Sequence, residues 1–110
     1  MASESTYIES LRRMTRRPSS PGDLLADLLE SNEITHSELA ERIGVGRQTI
    51  SQLINGKRAL TADLAQRLGR FFGGGPALWV RMQQQLDLWE ALHADESEYE
   101  SIRPLERVEA

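Results

Sequence analysis

The sequence contains no cysteine, which excludes disulfide-stabilised folds, thiolate metal sites and cysteine nucleophiles. No apolar run approaches the roughly 20 residues that a membrane-spanning helix requires. The N-terminal segment is polar and lacks the apolar stretch of a secretory signal. These absences favour a small cytoplasmic protein that does not contact the membrane.

Motifs that serve enzymes are absent as well. The two histidines, His36 and His93, lie far apart in the sequence, and no second histidine stands near either of them. The glycine triplet at 73–75 precedes Pro76 instead of the Lys-Ser/Thr pair of a phosphate-binding loop. We therefore expect no enzymatic activity, no metal and no cofactor.

Acidic residues outnumber basic ones by 17 to 13, which argues against a chain that coats nucleic acid through charge alone. The charge is unevenly distributed. Residues 21–33 carry four acidic side chains and no basic one, whereas residues 34–58 carry four basic and two acidic ones. The negative total charge therefore does not exclude a local positive surface at residues 34–58.

Composition divides the chain into three parts. Residues 1–20 contain four arginines and few large apolar side chains, and we expect a flexible basic arm with a short helix around residues 7–14. Residues 21–93 are densely apolar with helical periodicity and form the expected domain. Residues 94–110 form a short acidic tail, which we expect to be extended because Arg103 precedes Pro104.

Apolar spacing and cap residues predict five helices in residues 21–93, and hence an all-α fold. Thr35 with Glu38 has the spacing of a capping box, Gly44 ends the helix that follows, and Thr61 is typical of a helix start. Pro76 suits the first turn of the last helix. The predicted helices cover residues 21–31, 36–43, 47–55, 62–72 and 76–92.

Residues 36–55 predict a helix-turn-helix unit, in which two helices of about eight residues are joined by a short Gly-Val-Gly turn. Ala40 is small where the second helix approaches, and Gly44 accepts a positive φ. Val45 fills the space between the helices, and Ile50 and Leu53 face the core. Every structural position of the motif is therefore occupied by a suitable residue.

The segments LAERIGV (39–45) and TISQLINGKR (49–58) resemble the phage-repressor-like (Xre/Cro) helix-turn-helix family. The segments PGDLL (21–25), LTADLAQRL (60–68) and ALWVRMQ (77–83) resemble the HigA-type antitoxins. This resemblance implies a five-helix phage-repressor-like domain that represses its own toxin–antitoxin operon. It also implies a HigB-type mRNA-cleaving toxin as the partner, neutralised by direct binding.

The second helix of such a unit lies in the major groove of DNA. Its outward positions predict four base contacts. Arg47 can donate hydrogen bonds to O6 and N7 of guanine, and a glutamine can form a bidentate contact with N6 and N7 of adenine. A threonine methyl can contact the methyl group of thymine. Phosphate contacts are expected at the start of the preceding helix and in the loop after the second one. The base-contacting residues are Arg47, Gln48, Thr49 and Gln52, and the phosphate-contacting residues are His36, Ser37, Asn55, Lys57 and Arg58. The alternative for all nine is a merely solvated helix surface.

A module this small predicts a homodimer on palindromic operator DNA, with the two second helices about 34 Å apart. The long apolar stripe of the fifth helix is the expected interface, and residues 102–108 are expected to pair with the partner subunit. The predicted dimerisation residues are Leu78, Trp79, Met82, Leu86, Trp89, Ile102 and Leu105.

The sequence does not determine which surface of the chain would bind a toxin. The arginines of residues 12–17 and the acidic segment 95–100 are both candidates, and a basic ribonuclease favours the acidic one. Two alternative functions stay open: a transcriptional repressor without a toxin, and an interaction module that has lost DNA binding. The expected location is the bacterial cytoplasm, at the nucleoid when operator is bound.

Overall fold

The structure is a computed structural model that describes residues 4–106, and within that range all regular secondary structure is helical. The prediction of an all-α fold is confirmed, and the five predicted helices correspond to α2–α6 below. Two further helices, α1 and α7, lie in the two terminal segments. The helices in chain order are α1 (Glu4–Arg13), α2 (Pro21–Ser31), α3 (His36–Ile43), α4 (Arg47–Ile54), α5 (Ala62–Phe72), α6 (Ala77–Leu92) and α7 (Ser97–Glu100).

Side-chain caps fix where three of the helices begin. Ser20 and Asp23 form a complete capping box at α2, since the Ser20 hydroxyl accepts from the Asp23 N–H at 3.0 Å and the Asp23 carboxylate accepts from the Ser20 N–H at 2.9 Å. The hydroxyl of Thr35 accepts from the N–H of Glu38 at 3.1 Å, and Thr61 caps α5 in the same way. The Glu38 carboxylate, however, accepts from the Thr35 hydroxyl and not from its backbone N–H.

The core is formed by the inward faces of α2–α6. Gly22 lies where α2 crosses α4 so closely that an added Cβ would collide with the carbonyl oxygen of Leu53. Trp79 of α6 is 3% exposed and closes the core next to Phe72. The buried residues of this cluster are Leu25, Leu29, Leu39, Ala40, Ile43, Ile50, Leu53, Leu60, Leu64, Ala65, Leu68 and Trp79.

The N-terminal segment differs from the expected flexible arm. Residues 4–13 form α1, which packs against α6 and buries Leu11 to 1% exposure. The indole N–H of Trp89 donates to the carbonyl oxygen of Met14 at 3.0 Å, which anchors the chain after α1. Burial of an apolar side chain and a satisfied indole both favour the docked helix. The short helix expected around residues 7–14 is present as α1, but it is docked on α6, which corrects the expectation of a flexible arm there.

The C-terminal segment is only partly extended. Asp95 accepts a hydrogen bond from the N–H of Ser97, the first residue of the short helix α7, at 3.0 Å. This backbone hydrogen bond holds the pKa of the Asp95 carboxyl below its ordinary value. Residues 102–106 have neither helix nor strand. The expected pairing of residues 102–108 with a second subunit extends beyond the described residues.

Two of the predicted dimerisation residues lie inside the chain. Trp79 and Leu86 are buried by the fold itself, because both lie on the face of α6 that turns inward. This corrects their assignment to a surface between subunits. Leu78 is 51% exposed, and Met82 and Trp89 are half-buried, so part of the predicted stripe does reach the surface.

Candidate nucleic-acid interface

Helices α3 and α4 pack against each other through a sharp turn. Gly44 ends α3 with φ of +75°, a conformation that favours glycine. The N–H of Val45 donates to the carbonyl oxygen of Ala40 at 3.0 Å, and the Val45 side chain packs on the core. The turn therefore directs α4 across α3 as the sequence predicted.

Arg67 of α5 holds the end of α3 in place. Its Nη1 donates to the carbonyl oxygen of Ile43 at 2.7 Å, and its Nε donates to Asp63 at 2.9 Å. A cation near the C-terminal carbonyls of a helix is favourable because those carbonyls lack partners in the helix. Sequence reasoning missed this residue. An aspartate four residues before an arginine on a helix favours an ion pair, but nothing in the sequence indicates the contact with Ile43.

Helix α4 buries one face and opens the other. Ile50 and Leu53 are buried in the core. Arg47 and Gln48, in the first turn of α4, are exposed, and their side chains form no hydrogen bond or ion pair within residues 4–106. Two predicted base-contacting side chains thus lie unpaired at the helix end that contacts base edges in helix-turn-helix proteins.

The other two predicted base contacts are half-buried. Thr49 lies beside Gly46, which precedes α4. Gln52 is joined to the loop after α4 by two hydrogen bonds. Its side-chain oxygen accepts from Nε of Arg58 at 3.0 Å, and its backbone carbonyl accepts from the N–H of Lys57 at 2.8 Å. The orientation of Gln52 therefore depends on the loop that follows the helix.

The predicted phosphate contacts fall into two groups. Ser37 at the start of α3 is exposed, and so are the loop residues Asn55, Lys57 and Arg58. His36 is half-buried, and its Nδ1 lies 2.9 Å from the hydroxyl oxygen of Ser51 on α4. His36 thus joins α3 to α4, a link that the sequence did not reveal.

The exposed groups of α4 and its loop are rich in hydrogen-bond donors. A guanidinium and carboxamides match the acceptor-bearing base edges of the major groove, and the loop cations match phosphate oxygens. Over residues 4–106 no three histidine, aspartate or glutamate side chains gather as metal ligands would. No helix in the part that the structure describes is long and apolar enough to cross a membrane.

A helix-turn-helix family matches residues 25–79, which contain α3, α4 and most of the core. Antitoxin HigA-1 of Vibrio cholerae is 40% identical over 96 residues, a match that covers 86% of this chain and 90% of the relative. The likeness therefore extends beyond the helix-turn-helix unit to most of both chains.

Two solved structures share the fold. One, from Nostoc punctiforme, is described as an antidote protein of a plasmid maintenance system and is 46% identical, with a TM-score of 0.72 over 82% of this chain and 99% of that chain. The other is the Pseudomonas aeruginosa antitoxin HigA, solved with the higBA promoter. It is 32% identical, with a TM-score of 0.72 over 81% of this chain and 99% of that one.

Proposed function

Since the chain belongs to the helix-turn-helix family, and within it to the HigA-type antitoxins, we propose that it is a sequence-specific DNA-binding antitoxin. It represses the operon that encodes it and neutralises a HigB-type mRNA-cleaving toxin by direct binding. One observation supports DNA binding in particular. Arg47 and Gln48 of α4 are exposed, and their hydrogen-bond donors have no partner in the described residues.

In this proposal α4 lies in the major groove. Arg47 donates two hydrogen bonds to O6 and N7 of a guanine, and Gln48 and Gln52 bind base edges next to it. Thr49, closer to the protein surface, contacts a thymine methyl or a phosphate. Each well-formed bidentate contact contributes about 1–3 kcal/mol of discrimination between bases.

The phosphate contacts flank this helix. Asn55, Lys57 and Arg58 follow α4 in an exposed loop, and Ser37 lies in the first turn of α3, where backbone N–H groups also favour an anion. His36 contributes chiefly by holding α3 against α4 through Ser51. These contacts position the protein and depend on salt concentration.

A homodimer that reads a palindromic operator completes the DNA-binding unit, which we assign to residues 21–93. The exposed Leu78 and the half-buried Met82 and Trp89 supply the α6 side of its interface. Ile102 and Leu105 in the tail are open to a second subunit as well. The two copies of α4 would lie about 34 Å apart, one turn of DNA.

The antitoxin part is supported by the HigA-type relatives. The protein would act in the bacterial cytoplasm and reach the nucleoid when it binds operator. Its acidic segment at 95–100 complements a basic ribonuclease in charge.

To test the proposed function, the chain is expressed with and without the neighbouring reading frame. We expect the purified chain to shift DNA from upstream of its own gene but not a scrambled duplex, and to restore growth when the neighbouring gene is induced. Operator binding without growth rescue would reduce the function to that of a repressor without a toxin. Rescue without any operator binding would overturn the DNA-binding part.

A further inference from the structure

A hydrogen bond between side chains joins Gln52, a proposed base-reading residue, to Arg58, a proposed phosphate-binding residue. Nε of Arg58 donates to the side-chain oxygen of Gln52 at 3.0 Å. We propose that Arg58 is a positioning residue that fixes the orientation of the Gln52 amide and so determines which base Gln52 selects. This inference rests on the proposed DNA-binding function and deepens it.

The chemistry of the pair defines the orientation of the amide. A guanidinium carries only donors, so the atom of Gln52 that faces Arg58 is the oxygen Oε1 and not the nitrogen Nε2. The two N–H donors of Nε2 therefore remain available for an acceptor. In the major groove such acceptors are N7 and O6 of guanine, N7 of adenine and O4 of thymine. A glutamine without this restraint would rotate and present either its oxygen or its nitrogen to the base.

The backbone strengthens this restraint. The loop turns back at Gly56, whose φ is +71°, and the N–H of Lys57 donates to the backbone carbonyl of Gln52 at 2.8 Å. Residue 52 is thus held by the loop through both its main chain and its side chain. The Nε contact leaves both Nη groups of Arg58 available for a DNA phosphate. Binding of the DNA backbone would then be coupled to base selection.

Lys57 supplies the matched control, because it lies next to Arg58 in the same loop and carries the same charge. Within residues 4–106 its side chain makes no hydrogen bond to α4. Removal of the Lys57 charge should weaken binding to all sequences by a similar factor. Removal of Arg58 should in addition change the preference at one base pair.

The experiment measures the affinity of the full chain for a set of operators that together carry every single-base substitution. Gln52→Ala identifies the base pair at which Gln52 contributes to selection. At that base pair we expect Arg58→Ala to lower the discrimination between bases by about tenfold, the lower part of the range of one bidentate contact. Lys57→Ala should leave the order of preference unchanged.

The double variant Gln52→Ala with Arg58→Ala completes the test. If Arg58 acts through Gln52, its removal in the Gln52→Ala background lowers all affinities equally and no longer alters base preference. A uniform loss with Arg58→Ala alone would overturn the inference while leaving DNA binding intact. A parent protein that binds no operator would instead overturn the proposed function. Unchanged far-ultraviolet circular dichroism verifies that each variant folds.

Discussion

Helices α4 and α6 both bury one face in the same core, but of the two only α6 exposes a large apolar side chain. On α4 the exposed side chains are Arg47 and Gln48. On α6 Leu78 is 51% exposed, and in the tail Ile102 and Leu105 are 68% and 81% exposed. Polar groups in water need no partner, whereas exposed large apolar groups are typical of protein interfaces. The contrast favours our proposal that α4 binds DNA and that α6 and the tail contact protein partners.

Charge follows the same division. Residues 34–58 carry four basic and two acidic side chains, whereas residues 94–110 carry two basic and six acidic ones. The acidic tail would be repelled by DNA phosphates, and the surface around α4 would be attracted to them. In our proposal the DNA and the protein partners therefore bind separate surfaces.

The largest effect is expected where the inward face of α4 is damaged. Ile50→Ala removes a fully buried side chain and should lower the free energy of unfolding by about 2–5 kcal/mol. Leu105→Ala, in the exposed tail, should change it by less than about 0.5 kcal/mol. Urea denaturation measures both. Equal losses of stability would show that the tail packs on the core. The inward face of α4 and the tail would then no longer differ.

Substitutions on the outward face of α4 should change operator affinity without changing the free energy of unfolding. Arg47→Ala should weaken operator binding by about 1–3 kcal/mol and leave unfolding unchanged. Arg103→Ala removes the same kind of charge from the tail and serves as the control. Fluorescence anisotropy with a labelled operator gives both affinities. Similar losses for the two arginines would indicate that only net charge matters.

A substitution on the exposed face of α6 should weaken the proposed homodimer. Leu78→Glu introduces a charge into the proposed interface and should weaken the dimer by about 1–2 kcal/mol, as loss of an apolar anchor does. Light scattering over a concentration series measures the change, and deletion of residues 102–110 tests the contribution of the tail. A variant that dimerises like the parent would move the interface away from Leu78.

The smallest effect concerns the helix starts. Thr35→Ala removes the cap of α3 and should lower the free energy of unfolding by about 1 kcal/mol. Asp95→Ala removes the hydrogen bond to the first N–H of α7, a helix with no buried residue, and should leave global stability nearly unchanged. Thermal unfolding compares the two. A larger loss at Asp95 would mean that α7 contributes to the core.

The parts of the fold that depend on neighbouring residues could be predicted from the sequence. Thr35 and Thr61 cap the helices that they precede, and Gly44 ends α3 with a positive φ. Each of these features depends on a backbone group within a few residues, so the local pattern is sufficient. The helix-turn-helix unit was predictable for the same reason.

Features that depend on distant surfaces could not be predicted. The burial of Leu11 requires the matching face of α6, which lies about seventy residues further along the chain. The bond from Arg67 to Ile43 requires the orientation of α5 relative to α3. The bond between Gln52 and Arg58 depends on the turn at Gly56, which brings two residues of predicted separate roles together.

The two tryptophans of the chain occupy different surroundings, and this gives the protein an optical property. Trp79 lies in the core, with its ring centroid 6.2 Å from that of Phe72. Trp89 stacks on His93 at 4.3 Å and donates its indole N–H to the carbonyl of Met14. Departure of α1 would break this bond while Trp79 stays enclosed. Intrinsic fluorescence therefore distinguishes release of the N-terminal helix from unfolding, and Trp79→Phe isolates the emission of Trp89.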